Sequence, residues 1–473
     1  MPRPTRRQWL ARVPVSLTAA AAQTARHANR PNIILIISDQ FRWDNVGALG
    51  LNPMNLTPNL DRMAGRGVVF RSAFANQPVC APARASIFTG QYPSRHGVWQ
   101  NGPGLAENAT TLATTLRDAG YSANYIGKWH LSPRGLQDGF DGRGPVTPEH
   151  RGGFLDLWEA SNSPEWTTRA YEGDFYDHQG KPIHFSGQYR ADFMTERAQR
   201  FLRSARQPFL LVVSYLETHH QNQTDTFDPP TEYKQRYSNP FVPPDLRPLP
   251  GTWPSQLPDY FACVARIDDA VGAIRRTLAE TGLEGNTILA FTSDHGCHFK
   301  TRNDEYKRSP HESSIHIPLI VEGPGFNRAA EVPELVSQVD LAPTLIEAAG
   351  VAVPASMQGR SALPLLERRI EGWRDEVYFE MSEFVTGRGL RTPRHTYAAA
   401  APKLPGWRPV PRAERYVEYV LYDLFADPYQ HVNLAGRAPY RAASDELRRR
   451  LLARMLEASG EKAAIEPCWF PYS

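Results

Sequence analysis

Residues 31–40 read PNIILIISDQ and give the clearest indication of the fold class. A continuous apolar run rich in β-branched residues predicts a strand that is buried on both faces. A second run of this kind, TILAFT at 287–292, ends in SDHG at 293–296. Such strands belong to parallel sheets covered by helices, so the pattern predicts an α/β fold. Open α/β sheets bind ligands at the carboxyl ends of their strands, which is where both runs end in polar residues.

Asp39 and Asp294 come directly after these two predicted strands. Two carboxylates at the ends of neighbouring strands repel each other unless a cation or a proton lies between them. A single Asp after a strand is more commonly a helix cap, and that alternative stays open for each residue taken alone. The pair favours a divalent metal site.

The segment QPVCAPARASIFTG at 77–90 places one Cys where a helix is about to start. Pro82 and Gly90 bracket the helical pattern, so Cys80 lies at its positive end with Arg84 one turn away. This setting lowers the pKa of a thiol and favours an anion held beside it. A helix-capping thiol without a chemical role is the alternative for this segment by itself.

The string CAPAR at 80–84 resembles the Cys-x-Pro-x-Arg signature of the type I sulfatases, which belong to the alkaline-phosphatase-like superfamily. The resemblance implies a large mixed sheet sandwiched by helices, with a small C-terminal antiparallel α+β subdomain. It also implies that a formylglycine-generating maturation enzyme converts Cys80 to 3-oxoalanine (formylglycine). One hydroxyl of the hydrated aldehyde would attack the sulfur of a sulfate ester, and loss of the other hydroxyl's proton would expel sulfate.

The resemblance extends to the metal ligands. The family usually has Asp-Asp near the N-terminus and Asp-Asn-Gly later in the chain. This sequence has DQ at 39–40 and DHG at 294–296 instead. The same replacements resemble the branch that contains polysaccharide sulfatases, choline sulfatase and phosphonate monoester hydrolase. An all-oxygen site favours Ca²⁺, whereas one imidazole makes Mn²⁺ or Zn²⁺ acceptable, and we expect Ca²⁺. The ligands implied are Asp39, Gln40, Cys80 after its conversion, Asp294 and His295.

The string GKWH at 127–130 follows a short predicted strand at 122–126 and matches the family's second signature. In that signature the Lys binds sulfate oxygens and the His contacts the formylglycine hydroxyl, which gives these roles to Lys128 and His130. Two such side chains, two residues apart on an extended segment, point the same way and can converge on one anion. A solvated Lys beside a half-buried His is the alternative.

A further predicted strand at 209–215 runs into ETHH at 217–220. At this place sulfatases carry a His that protonates the leaving alkoxide, because an unactivated sugar or choline oxygen leaves poorly as an anion. His219 aligns best with this acid, and His220 is the alternative. Lys307, in KRSPHESSIHIP at 307–318, aligns with the second sulfate-binding Lys, although two family glycines are Ser here.

The remaining charged and aromatic side chains near these motifs are candidates for contacts with substrate. We take Arg84, the Arg of the first signature, as part of the catalytic set together with Cys80, Lys128, His130, His219 and Lys307. The candidates for substrate binding are His220, His298, Arg302, Asn303, His311, Arg388 and Arg391.

Composition agrees with a large α/β enzyme. With 473 residues and 41% apolar content, the chain can bury a large core. Apolar residues recur at helical spacing over 256–280, and prolines at 229–254 indicate long loops over the sheet. From about residue 373 the pattern changes to short strands and a last amphipathic helix. We therefore predict a catalytic domain over 30–368 and a C-terminal subdomain over 369–473.

The N-terminal 29 residues are predicted to be an export signal. TRRQWL at 5–10 has the look of a twin-arginine signal, and the apolar stretch after it is too short to remain as a membrane span. A disordered basic arm is the alternative. The first 30 residues hold six Arg and no acid, so without them the net charge of +3 becomes −3. Such a protein would not attract nucleic acid. The four Cys imply no disulfide framework.

These patterns together predict an exported, periplasmic, metal-dependent sulfatase that hydrolyses a sulfate ester on a carbohydrate. A phosphonate monoester or phosphodiester hydrolase, or a choline sulfatase, on the same scaffold is the first alternative, because a similar anion fits the same cations. An inactive glycan-binding relative is the second. Loss of Cys80, of either Asp or of His219 would favour that reading, and none of them is missing.

Overall fold

The computed structural model describes residues 30–133, 143–403 and 406–468, which form two sheets with helices packed against them. The expected export signal at 1–29 lies outside the described residues. Among the described residues, no helix combines the length and apolar character needed to cross a membrane.

Within these residues the larger sheet has twelve strands and the smaller sheet five. The strands are β1 (Asn32–Ser38), β2 (Val68–Phe74), β3 (Ser122–Lys128), β4 (Trp158–Ser161), β5 (Thr168–Arg169), β6 (Glu172–Tyr176), β7 (Pro182–Ser186), β8 (Phe209–Tyr215), β9 (Thr287–Ser293), β10 (His316–Ile317), β11 (Leu319–Glu322), β12 (Ala330–Ser337), β13 (Val377–Met381), β14 (Gly387–Arg391), β15 (His395–Ala400), β16 (Arg415–Asp423) and β17 (Ala464–Glu466).

The larger sheet is mixed, as the resemblance implies. Its strand order is β10-β2-β11-β9-β1-β8-β3-β4-β6-β5, with β12 beside β2 and β7 beside β6. The central strands β9, β1, β8, β3 and β4 are all parallel, so their carboxyl ends meet at one edge. The antiparallel strands lie on the flanks of this parallel centre.

Alternate residues of the central strands enter two separate hydrophobic cores. Ile34 and Ile36 of β1 pack on one face, and Ile33, Leu35 and Ile37 pack on the other. Both faces are covered because a parallel sheet is joined by crossover helices. The helices are Pro58–Ala64, Cys80–Thr89, Pro93–His96, Leu112–Asp118, Pro164–Thr167, Arg190–Ser204, Thr231–Lys234, Trp253–Glu280, Glu312–Ile315, Leu341–Ala348, Leu363–Leu366 and Arg441–Ser459.

The smaller sheet has the order β13-β14-β15-β16-β17, and its first four strands are antiparallel. Leu447, Leu451 and Met455 of the helix Arg441–Ser459 are buried against it, as their helical spacing predicts. The α/β class and the small C-terminal sheet are thus confirmed. The domain boundary at 368/369 falls between the helix Leu363–Leu366 and β13 and stays a prediction.

Candidate active site

The two predicted carboxylates meet because their strands pair in register. Ser38 of β1 lies opposite Ser293 of β9, so Asp39 and Asp294 leave the sheet side by side. Both are fully buried. Gln40 takes a φ of 66°, and its backbone N–H donates to Asp294 Oδ1 over 3.1 Å. The backbone thus turns sharply after β1 and ties the two strand ends together.

Cys80 begins the helix Cys80–Thr89, as predicted, and Gly90 ends that helix with a φ of 62°. The thiol is 2% exposed and lies 3.4 Å from His295 Nε2 and 3.7 Å from Asp39 Oδ1. Asn101 Oδ1 accepts a hydrogen bond from the N–H of residue 81, which satisfies one of the free donors at the helix start. The helix therefore presents residue 80 to the carboxylates.

The residues of this cluster fit a divalent cation. One potential ligand atom from each of Asp39, Cys80, Asp294 and His295 lies within 4.8 Å of the others. Oε1 of Gln40 is buried and has no hydrogen-bond partner in the described part of the chain, and coordination of a cation would satisfy it. Burial and the neighbouring Asp39 raise the pKa of Asp294. A carboxylate pair of this kind needs positive charge between its members.

Arg84 supplies part of that positive charge. Its Nη2 is 3.2 Å from Asp39 Oδ2, and its Nε is 3.1 Å from Asp294 Oδ2. Its Nη1 donates to Ser214 Oγ at the end of β8 over 2.7 Å. Arg84 and these three partners are fully buried, so Arg84 holds both carboxylates in place, and we assign it to positioning.

Lys128 and His130 converge, although their backbone differs from the prediction. The extended segment ends at Lys128, and His130 takes a φ of 60°. Lys128 Nζ is 2.7 Å from Asp39 Oδ2 and 3.2 Å from Glu165 Oε1, and Nδ1 of His130 is 3.4 Å from the same Glu165 oxygen. The two side chains meet at a shared carboxylate, and not because they point the same way from one extended segment.

Lys307 and His219 form the other wall of the cluster. Lys307 Nζ donates to Cys80 Sγ over 3.1 Å and lies 2.9 Å from His219 Nε2. His219 Nδ1 lies 2.5 Å from the carbonyl oxygen of His220. Because a carbonyl can only accept, this contact places a proton on Nδ1 and leaves Nε2 facing Lys307 and the thiol.

The surrounding cations stabilise negative charge at residue 80. Burial alone would raise the pKa of the Cys80 thiol, but Lys128, Lys307 and His295 hold it well below its usual range. Burial also opposes ionisation of Asp39, whose pKa nevertheless lies below its usual range because of Lys128, His219 and Lys307. The cluster is therefore a buried anion-binding centre with its own paired carboxylates.

Several predicted substrate contacts lie outside this cluster. His220 stacks between His219 and Tyr306, with ring centroids 4.3 and 4.1 Å away. His298 is fully buried and lies 3.0 Å from the carbonyl oxygen of Lys307, so it supports the backbone of that residue. Asn303 Nδ2 donates to the same carbonyl over 3.0 Å.

The remaining candidates face other parts of the fold. His311 lies 3.0 Å from Tyr422 Oη, and Arg391 pairs with Glu312. Arg388 is buried in the smaller sheet, where Glu461 lies 3.0 Å away. Arg302 donates to backbone carbonyls near residue 430 and lines a separate cavity. The structure brings none of these four into the cluster.

Glu165 is the member of the cluster that sequence reasoning missed. It is 3% exposed and lies on the one-turn helix Pro164–Thr167, after β4. Lys128, His130 and His219 keep its pKa below the usual range, against the effect of burial. The available signal was weak: β4 has only four residues and no apolar run, although Pro164 is typical of a helix start.

The cluster can therefore hold a tetrahedral anion against residue 80, with cationic side chains on two walls and imidazoles within reach. The family model "Sulfatase" matches residues 31–351, and the model "N-sulphoglucosamine sulphohydrolase, C-terminal" matches residues 304–457.

Relatives and solved structures agree with these matches over most of the chain. An ulvan-active sulfatase of Formosa agariphila is 29% identical, over 91% of this chain and 82% of its own length. An N-acetylglucosamine-6-O-sulfatase of Bacteroides thetaiotaomicron is 25% identical, over 92% and 88%. The structure of the Bacteroides fragilis protein named sulfatase yidJ superposes with a TM-score of 0.78 at 27% identity, over 92% and 97% of the two chains. The chain belongs to the sulfatase family of sulfuric ester hydrolases.

Proposed function

We propose that this sulfatase hydrolyses sulfate esters on a carbohydrate, through a formylglycine made from Cys80 and with one divalent metal ion. The observation that carries the proposal is the meeting of Cys80 with Asp39, Asp294 and His295 in one buried cluster. The carbohydrate part is supported by relatives whose names specify ulvan and N-acetylglucosamine 6-O-sulfate chemistry.

Formylglycine at residue 80 would supply an oxygen nucleophile, which a thiol does not offer. Its formation requires a formylglycine-generating enzyme as a partner. Lys128 and Lys307 bind the sulfate oxygens, since their ammonium groups flank residue 80 from two sides. The imidazole of His130, next to Lys128, accepts and returns a proton at residue 80. His219 faces inward through Nε2 and, when its imidazole is protonated on both nitrogens, donates the Nε2 proton to the leaving oxygen.

The metal would be held by Asp39, Gln40, Asp294 and His295, with residue 80 as a further ligand. It would supply positive charge beside the sulfate oxygens and between the two carboxylates. We expect Ca²⁺, with Mn²⁺ or Zn²⁺ as alternatives because His295 offers nitrogen. Exhaustive chelation should lower both the melting temperature and the turnover, and added Ca²⁺ should restore both. Unchanged melting and turnover after chelation would contradict the metal assignment.

The substrate class is tested with protein made together with a formylglycine-generating enzyme. A panel of defined sulfated oligosaccharides, an aryl sulfate and a phosphonate monoester should be assayed side by side. We expect the largest second-order rate constant for one of the sulfated sugars. A much larger constant for the phosphonate than for every sulfate ester would assign the protein to phosphonate hydrolysis instead.

Export through the twin-arginine pathway belongs to the same proposal, with the periplasm as destination. Its support is the RR pair at 6–7 and the short apolar stretch that follows. Full-length protein expressed in a bacterium should appear in the periplasmic fraction, and replacement of both Arg by Lys should retain it in the cytoplasm. An equal distribution of the wild-type and Lys-substituted proteins between periplasm and cytoplasm would contradict this predicted location.

A further inference from the structure

A second cavity, separate from the cluster, opens where the smaller sheet meets the larger one. Its volume is about 620 Å³, which is within the usual range for ligand pockets. Its walls come from the segment after β1, the proline-rich loop, the segment 302–313 and the loop 424–430. We call it the Arg302 cavity. Its lining residues include Arg42, Leu51, Arg302, Arg391, Phe425 and Tyr429.

One segment of chain separates this cavity from the cluster. Lys307 points to Cys80, whereas Arg302 and Glu312 of the same segment line the cavity. Arg42, on the cavity side, donates to the carbonyl oxygen of Cys297 over 2.7 Å. None of the residues lining the cavity belongs to the catalytic cluster. The cluster and the cavity thus lie on different sides of segment 297–313.

Arg302 differs from Arg42 and Arg391 because it forms no ion pair with a carboxylate in the described part of the chain. Arg42 pairs with Asp44 and Asp245, and Arg391 pairs with Glu312. Arg302 instead donates to two backbone carbonyls, at 2.8 and 2.9 Å. Its Nε is buried and has no hydrogen-bond partner among the described residues. A guanidinium has five N–H donors, so the two Nη groups of Arg302 keep capacity for an anion, whereas the buried Nε is not accessible from the cavity.

Two aromatic side chains of the cavity are exposed to solvent. Phe425 is 76% exposed and Tyr429 is 43% exposed, and Leu51, which also lines the cavity, is 42% exposed. A concave site with apolar rings and a few polar groups is the composition of a small-molecule site. Aromatic faces pack against the C–H faces of sugar rings, whereas a guanidinium binds sulfate or carboxylate groups. The combination fits a charged sugar.

We propose that the Arg302 cavity is a non-catalytic subsite that binds one sugar unit of an anionic glycan through the Arg302 guanidinium and the ring of Phe425. The ligand class is a saccharide with a sulfate or carboxylate group. The proposal rests on the proposed function, because it takes the substrate to be an anionic glycan. It adds a second contact to such a chain, on a segment that also carries Lys307.

The test uses full-length Cys80→Ala protein, which prevents turnover, in native gels that contain κ-carrageenan, chondroitin sulfate or ulvan. We expect at least one polymer to retard the protein. Arg302→Met should weaken that apparent affinity about tenfold, the scale of one charged hydrogen bond. Phe425→Ala should weaken it about threefold, the scale of one aromatic contact, and cannot disturb the core because the ring is exposed.

Two exposed residues of the helix Arg441–Ser459 provide matched controls, and Arg449→Met and Leu456→Ala should leave retardation unchanged. With a desulfated, neutral form of the same polymer, the Arg302→Met effect should vanish while the Phe425→Ala effect stays. The proposal is overturned by absence of retardation in all three gels, by unchanged retardation of both cavity variants, or by equal loss in the controls.

Two further measurements keep this proposal separate from the proposed function and from self-association. Wild-type protein that hydrolyses a sulfated sugar but is not retarded would overturn the subsite alone. Protein retarded through Arg302 that hydrolyses no sulfate ester would overturn the proposed function alone. Light scattering completes the set, because a dimer that Phe425→Ala converts to a monomer would make the cavity an interface between copies.

Discussion

The catalytic cluster and the Arg302 cavity lie on two sides of one segment and use charge in opposite ways. In the cluster, Asp39 and Asp294 are both paired with Arg84, and all three are fully buried. In the cavity, the described residues offer Arg302 only backbone carbonyls as hydrogen-bond partners, and the rings of Phe425 and Tyr429 are exposed. A buried cluster of paired charges is suited to catalysis, whereas an exposed cavity with unpaired hydrogen-bond donors is suited to ligand binding.

The comparison also predicts how each site responds to mutation. Removal of one member of a buried pair leaves its partner charged in a low dielectric, which is costly. Removal of an exposed ring leaves nothing unpaired and costs little. Large effects should therefore belong to the cluster and small ones to the cavity.

The largest effect is expected for Cys80→Ala. Turnover should fall by about four orders of magnitude or more, because the nucleophile is lost while the cations and the metal ligands remain. Cys263→Ala is the matched control, since this thiol is equally buried but belongs to the hydrophobic core around Trp253–Glu280. Initial rates on a sulfated sugar measure the effect. Comparable losses in both variants would contradict a specific catalytic role of residue 80.

His219→Ala should have the next largest effect, and the effect should depend on the leaving group. For a sulfated sugar, turnover should fall about a hundredfold, because the alkoxide needs a proton. For an aryl sulfate the loss should be much smaller, since a phenolate leaves without help. Steady-state rates on the two substrates provide the measurement. Equal losses would mean that His219 binds substrate instead, and His220→Ala should then be measured.

How much of this site the sequence predicts depends on the kind of element that carries each residue. Asp39 and Asp294 follow long apolar runs, and the carboxyl edge of a parallel sheet is a fixed place, so their meeting follows from the pattern. His298 and Arg302 were expected near the same motif, yet one turns into the core and the other lines the cavity. Loop direction is set by tertiary contacts, which no local spacing encodes.

Glu165 is a residue that long-range contacts bring into the site although no local pattern predicts it. Its position depends on the pairing of β4 with β3, in which Ser161 lies opposite Lys128. Only this long-range register brings a carboxylate from residue 165 to residues 128 and 130. The helix Trp253–Glu280 was predictable because its periodicity is local and long, whereas a four-residue strand gives no comparable signal.

Glu165→Gln should reduce turnover by about tenfold, a smaller effect than that of His219→Ala. The amide keeps the shape of the side chain but loses the charge that pairs with Lys128 and lies 3.4 Å from Nδ1 of His130. Michaelis–Menten kinetics should show a loss mainly in kcat. Glu172→Gln, at an exposed position of β6, is the control and should change neither parameter. An unaltered kcat for Glu165→Gln would contradict the role of this carboxylate in the cluster.

The smallest effect on folding is expected in the cavity. Phe425→Ala should change the free energy of unfolding by less than about 0.5 kcal/mol, because the ring is 76% exposed. Urea unfolding followed by fluorescence measures this value. A destabilisation as large as that of a core substitution would show that the ring is part of the packing, and the contrast between the two sites would then be lost.

We expect a formylglycine at residue 80 to perform the reaction, and mass spectrometry of the peptide that contains residue 80 tests this expectation. Preparations made with different amounts of maturation enzyme should contain different fractions of converted Cys80. Turnover of a sulfated sugar should rise in proportion to that fraction and extrapolate to zero when every Cys80 is intact. Full turnover in a preparation whose Cys80 is entirely unconverted would contradict the account.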